Sequence, residues 1–231
     1  MNNFALDARL ATVAALVRRG ARFADVGTDH AYLPIHLLDQ GIIVSAVASD
    51  VAEGPLASAR ANVRSAGHEG KVTLLLANGL MGMERLSLTD IAICGMGGEL
   101  IVDILAVAPF VKDPDIRLIL QPMSRAEVLR TYLASEGFAV HAERYAIAAD
   151  RAYLCLAATY TGVPYEIDAV RAVLGERALR CPEDTAAFSA YLDAREREAL
   201  RRLRGKRSGG IATHAEDALL SAIKQEREML V

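Results

Sequence analysis

The sequence predicts an α/β protein: a mostly parallel sheet that ends in one antiparallel hairpin, followed by a small α-helical, coiled-coil-like domain. Three observations carry that expectation. Short apolar runs alternate with helical segments of about ten residues or more, the pattern of βαβ units. The β-like stretches 138–148 and 151–160 are separated only by Ala149-Asp150, and a two-residue connection permits a hairpin but no parallel crossover. Charge density then nearly doubles: residues 1–163 carry 14 basic and 17 acidic side chains, whereas the much shorter 164–231 carries 12 of each.

Each element has its own signal. Leu6, Leu10, Val13 and Val17 share one face of a helix expected over Phe4–Arg19 and closed by Gly20. Apolar runs at 21–26, 42–49, 72–77, 90–94 and 116–121 read as strands. Near-continuous hydrophobicity fits strands buried on both faces. Helices are expected over 31–40, 52–66, 100–107 and 125–135. Pro34 fits only a first turn, and Pro122 is expected to break the fifth strand. Ser124 with Glu127 has the spacing of a capping box; Arg125 and Arg130 are expected to face solvent on their helix, or, from their place at the sheet end, to meet a substrate. A domain boundary is placed near Thr161–Pro164, giving domains 1–163 and 164–231. In the second, Phe188, Leu192, Arg195, Ala199 and Leu203 form one narrow helical stripe, and Ala215, Leu219, Ala222, Glu226 and Met229 form another. The Gly-rich stretch 205–210 is expected to join the two as an antiparallel pair.

Composition narrows the function classes. With 26 basic and 29 acidic residues the chain has no general attraction for polyanions, so any nucleic-acid contact must be local. The local candidate is the run Arg195, Arg197, Arg201, Arg202, Arg204, Lys206 and Arg207, either a solvated helix face or a phosphate contact. Three scattered cysteines suit neither a disulfide framework nor a zinc site. His30 and His36 have no partners at a metal spacing, so no metal is expected. No leader-like opening and no apolar run near the ~20 residues of a spanning helix are present, so a cytoplasmic, non-membrane protein is expected.

In open α/β sheets ligands sit beyond the carboxyl ends of the strands. There the sequence places Asp25, Gly27, Asp29 and His30, then Asp50, then Asn78-Gly79, then Gly95-Met96-Gly97-Gly98. Gly27 allows close backbone approach, but the glycine spacing that grips a dinucleotide pyrophosphate is missing. Two carboxylates would repel a pyrophosphate and suit a cationic ligand; alternatively they organise a turn. Asp50 can accept bonds from ribose hydroxyls. Asn78-Gly79 suits an adenine edge or an ordinary turn. The glycines at 95, 97 and 98 offer a floor poor in side chains, or a helix-entry turn.

Parallel strands finished by one hairpin resemble the seven-stranded, Rossmann-like sheet of class I S-adenosyl-L-methionine-dependent methyltransferases. Three stretches sharpen the likeness: Ala24-Asp25-Val26-Gly27-Thr28-Asp29-His30-Ala31-Tyr32-Leu33-Pro34, then Gly95-Met96-Gly97-Gly98, then Leu118-Ile119-Leu120-Gln121-Pro122. Together they resemble the bacterial tRNA (adenine-N1)-methyltransferases that modify position 22. Met123 departs from that family, which usually has Asn after Gln-Pro; the departure lies on the acceptor side. The resemblance implies that S-adenosyl-L-methionine is the cofactor and tRNA the partner. It implies that Asp25, Gly27, Asp29 and His30 surround the amino-acid part of the cofactor, with Arg9 reaching its carboxylate. Asp50 would hold the ribose, Asn78 and Gly79 the adenine, and Gly95, Met96 and Gly97 would lie beside the methyl. It further implies Asp29 as the group stabilising charge in the reaction, and Gln121, Pro122, Arg201, Arg202, Arg204, Lys206 and Arg207 as substrate contacts. The competing readings are methylation of another RNA base or a small molecule, and a non-catalytic nucleotide- or RNA-binding module.

Overall fold

The structure, a computed structural model, describes residues 5–230; Phe4, the expected start of the first helix, lies outside them. Seven strands form one sheet: β1 (Ala21–Val26), β2 (Ile43–Asp50), β3 (Val72–Leu76), β4 (Asp90–Gly97), β5 (Arg117–Ser124), β6 (Phe138–Ala148) and β7 (Arg151–Tyr160). Their order is β3-β2-β1-β4-β5-β7-β6. The first five strands pair in parallel, whereas β7 runs antiparallel to both neighbours. Ala149 and Asp150, both at positive φ, make the tight turn between β6 and β7.

Successive strand residues point to opposite faces, so continuous apolar strands must be covered on both sides. Phe23, Ala92 and Ile119 join one buried cluster with α1 (Ala8–Ala14), α2 (Tyr32–Asp39) and α3 (Glu53–Ser65). Ala24, Ile91, Ile93, Leu118 and Leu120 join the other, with α4 (Gly98–Ala106) and α5 (Ala126–Ser135). The chain continues through α6 (Ala169–Leu174), α7 (Thr185–Ser208) and α8 (His214–Glu228). Phe188, Tyr191 and Leu192 of α7 and Ile223 of α8 belong to that second cluster, so the charge-dense segment packs back on the sheet. Among the described residues no helix is long and apolar enough to cross a membrane.

Several boundaries differ from the sequence expectation for physical reasons. The first helix ends at Ala14; Asp7 caps it by accepting from the Leu10 N–H at 2.7 Å. β5 continues through Pro122 to Ser124, because its pairing with β7 stops at Leu120 and its pairing with β4 is irregular around Met96. A proline that lacks an N–H is tolerated where no regular ladder needs one. The capping box does not form: Ser124 belongs to the strand, and Arg125, at φ 56°, is the N-cap. Helix α4 begins at Gly98, where a Cβ would lie 2.2 Å from the Arg125 carbonyl oxygen, so only glycine lets these two chain segments touch. Helix α7 runs straight through Gly205 to Ser208, so the turn of the hairpin lies after it. In α8 the buried apolar residue is Ile223, while Ala215, and Met229 just past the helix end, are exposed.

Arg130 is the largest departure. It does not face solvent: its side chain is 2% exposed and forms a two-pronged pair with Glu143, itself 1% exposed, at 2.7 and 3.0 Å. It also donates to the carbonyls of Ala172 and Val173, and the Tyr145 hydroxyl donates to Glu143. The pair therefore ties α5, β6 and α6 together.

Candidate active site

The sheet order reverses between β1 and β4, which opens a crevice at their carboxyl ends. A cavity of about 430 Å³ lies there, and Arg9, Asp25, Gly27, Asp29, His30 and Gly95 all line it. The buried Asp25 is the last but one residue of β1; its carboxylate accepts from the Thr28 hydroxyl at 2.6 Å. Burial raises its pKa to about 6, while the Thr28 bond and the Arg9 charge lower it and Asp50 raises it further. A carboxylate held this far out of water is stabilised by a cation brought into the cavity.

The turn after β1 is shaped by backbone. The N–H groups of Gly27 and Thr28 both donate to the Ser49 carbonyl, at 2.9 and 2.8 Å. Gly27 has φ 75°, and a Cβ there would lie 2.5 Å from Met96 Cε. Asp29 and Ala31 also have positive φ, an arrangement uncommon outside functional or strained turns. His30 stacks on Tyr32 with ring centroids 5.2 Å apart, and its Nε2 lies 3.4 Å from the Asp29 carboxylate. Asp50 ends β2 and Asn78-Gly79 follow β3, along the same sheet edge but outside the lining of the cavity. Met96 and Gly97 finish β4. Cys94 lines the cavity too, but burial and the nearby Asp25 hold its thiol well above the usual range, so it is no thiolate nucleophile.

Gln121 and Pro122 are buried rather than presented to a ligand. The Gln121 carbonyl oxygen accepts from Arg9 Nη1 at 2.8 Å and from the Gly95 N–H at 3.0 Å. The basic run divides by use. Arg202 pairs with Glu198, Lys206 with Glu216 at 2.8 Å, and Arg207 with Asp217 at 3.8 Å, all within the helical hairpin. Arg201 and Arg204 instead line an open groove with Arg197 and Arg151. Arg151 starts β7, and the antiparallel register of β5 with β7 puts the β6–β7 turn at the ligand-binding edge of the sheet. Arg151 carries no signal in the sequence, since only the packing of α7 on β6 and β7 brings it beside the helix. Thr28, which holds the Asp25 carboxylate, has only its place three residues after Asp25 to mark it in the sequence. Among the described residues no group of three or more His, Cys, Asp or Glu is placed to hold a metal ion.

A cavity at the switch point of such a sheet, with one buried carboxylate, one guanidinium and glycine-rich strand ends, defines a Rossmann-like domain built around a small organic cofactor. A family profile described as a methyltransferase domain matches residues 6–156, which contain every residue lining the cavity. The chain belongs to this methyltransferase-domain family. A curated relative, the tRNA (adenine(22)-N(1))-methyltransferase of Bacillus subtilis, is 36% identical over 140 residues, 61% of this chain; the match spans 59% of that relative's length. A Streptococcus agalactiae protein of the NADB-Rossmann superfamily superposes with TM-score 0.83 at 32% identity, covering 96% of both chains. A Streptococcus pneumoniae protein described as a candidate tRNA (m1A22) methyltransferase, solved with S-adenosyl-L-methionine, gives TM-score 0.81 at 32% identity, covering 96% of this chain and 99% of its own. Coverage at that level extends into the C-terminal helices.

Proposed function

We propose that this protein is an S-adenosyl-L-methionine-dependent methyltransferase that methylates N1 of adenine 22 in tRNA. The observation that carries the cofactor half is the cavity itself: a buried carboxylate, Asp25, with the Arg9 guanidinium on the same lining. Those two charges match the ammonium and carboxylate of an α-amino acid, and the strand ends beyond offer Asp50 to a ribose and Asn78-Gly79 to an adenine. Bound S-adenosyl-L-methionine supplies an electrophilic methyl group on a sulfonium. The S. pneumoniae relative solved with that cofactor supports this choice, and the B. subtilis relative supports the acceptor.

The residues then have separate tasks. Asp25, Gly27, His30 and Arg9 grip the amino-acid end; Gly95, Met96 and Gly97 leave room beside the methyl for a flat base. N1 of neutral adenine has a free in-plane lone pair and no proton, so no residue need act as a base there. Positioning and charge stabilisation are enough. Asp29, at the cavity mouth, is the carboxylate offered to the positive charge that develops on the base; its 67% exposure leaves water to share that task. N1 lies on the Watson–Crick edge, so the adenine must be unpaired or flipped out, at about a few kcal/mol.

Residues 164–231 are the acceptor-binding domain in this reading, set against the 1–163 catalytic domain. Arg201 and Arg204, with Arg197 and Arg151, supply the phosphate contacts; Arg202, Lys206 and Arg207 contribute less because acidic neighbours already hold them. Reversing Arg201 and Arg204 to Glu is expected to lower tRNA affinity and to reduce the salt slope by about 2. The same change at Lys206 and Arg207 is expected to do less. Filter binding across a salt series checks this, and equal losses from both pairs would count against the groove. Asp50→Ala is expected to weaken cofactor binding about tenfold, in line with losing a hydrogen bond to a charged group, while tRNA affinity stays within about twofold. Calorimetry with each ligand separates the two.

A further inference from the structure

Gln121 belongs to neither the cavity lining nor an exposed surface, yet its side chain joins three segments beside the cavity: Arg9 of α1, Gly95 of β4 and the Pro122–Met123 end of β5. It is fully buried at the end of the regular part of β5. Its carbonyl oxygen receives two donors, Arg9 Nη1 at 2.8 Å and the Gly95 N–H at 3.0 Å. Its amide nitrogen donates to the Pro122 carbonyl at 3.2 Å and lies 3.6 Å from the Met123 sulfur. Arg9 comes from α1, 112 residues away in sequence, and among the described residues its one ion pair is with Asp7, at 3.5 Å. Gly95 has φ 78° and opens the segment that passes the reacting centre.

We infer that Gln121 is a positioning residue: its single amide aims Arg9 into the cavity, fixes the Gly95 backbone and holds the Pro122–Met123 edge in the same register. The inference rests on the reading of the cavity as the S-adenosyl-L-methionine site. An amide is the side chain suited to this position. A carboxylate of the same shape would neutralise Arg9 and oppose the Pro122 carbonyl with a second oxygen. An apolar residue of the same length would leave the Gly95 N–H without its acceptor. Because the oxygen carries two donors at once, losing it frees Arg9 and Gly95 together. A long side chain that must be ordered on binding loses affinity even though its own charge is intact.

The test is a double-mutant cycle on cofactor affinity in the full chain, with S-adenosyl-L-methionine as the titrant: wild type, Arg9→Ala, Gln121→Met and the pair. Each single change is expected to weaken binding about tenfold, and the pair to be little worse than either alone. Gln121→Glu, the isosteric variant, is measured beside Gln121→Met in case the latter does not fold. It is expected to weaken binding about as much as Arg9→Ala. Unchanged affinity in the folded Gln121 variants would overturn the inference. So would a pair that loses the product of the two single losses, about a hundredfold, because Gln121 would then act independently of Arg9. Wild-type protein that does not bind S-adenosyl-L-methionine at all removes the functional reading itself, and with it this inference; binding by wild type with unaffected Gln121 variants removes only the inference.

Discussion

Replacing Glu143 with alanine will destabilise the protein by about 3–5 kcal/mol, the range for stripping one partner from a buried ion pair. Arg130 would keep its charge at 2% exposure, with only the carbonyls of Ala172 and Val173 beside it. The loss should spread, because the pair joins α5, β6 and α6, and the Tyr191 hydroxyl of α7 donates to the same Val173 carbonyl at 2.8 Å. The space is also committed: a Cβ on Gly175 would lie 2.0 Å from the Glu143 carboxylate. Chemical denaturation measures the effect, and hydrogen exchange in 169–208 should rise before that in β1 and β4. Replacing Arg130 and Glu143 together by Met and Leu should cost much less than either single change, since no charge is then stranded. A loss under about 1 kcal/mol for Glu143→Ala would mean that water reaches the pair.

Asp25→Asn is expected to divide stability from function. Burial raises the Asp25 carboxyl from the usual 3.8 to about 6. The folded state therefore binds this proton more tightly than the unfolded chain does. The associated stability is complete below about pH 3.8 and is lost as pH rises through about 6. At 1.36 kcal/mol per unit, an ionised Asp25 burdens the folded protein by about 3 kcal/mol at most. Asparagine keeps the shape without the charge, so the variant should unfold at higher denaturant than wild type at pH 8, and the gain should vanish near pH 4. Cofactor affinity should move the other way and fall at least about thirtyfold, the lower end for removing one partner of a buried charge pair. In wild type that affinity should also decline as pH drops through about 6, and in Asp25→Asn this step should be missing. Greater stability without loss of binding would show that Asp25 serves the turn and not a cationic ligand.

The sheet was legible because its causes are local. Apolar runs ended by Gly27, Asp50, Asn78 and Gly95 mark strands and their ligand-facing ends at once, and a two-residue connection leaves β6 and β7 no choice of direction. Where tertiary contacts outweigh local preference, the sequence misleads. Pro122 looks like a strand breaker, but an irregular ladder beside Met96 removes the need for its missing N–H. Gly205 looks like a hinge, yet Leu203 and Ala199 are buried on one side of it and Lys206 is held by Glu216 on the other, so the helix continues. Arg130 falls at a position expected to face solvent; its burial depends on Glu143 from a strand and on two carbonyls of a helix more than forty residues away, which no local pattern contains. The cavity shows the same division. Asp25, Gly27, Asp29 and His30 are contiguous and stand out, whereas the link from Arg9 through Gln121 to Gly95 exists only once three distant segments meet.

The proposed reaction changes one atom of one nucleotide. The most direct measurement incubates the protein with methyl-labelled S-adenosyl-L-methionine and unmodified tRNA carrying adenine at position 22, followed by nucleoside mass analysis and mapping of the label. The expected product is 1-methyladenosine at position 22, with no label when that adenine is replaced by guanine. Label in another nucleoside, or transfer that persists after the replacement, would contradict it.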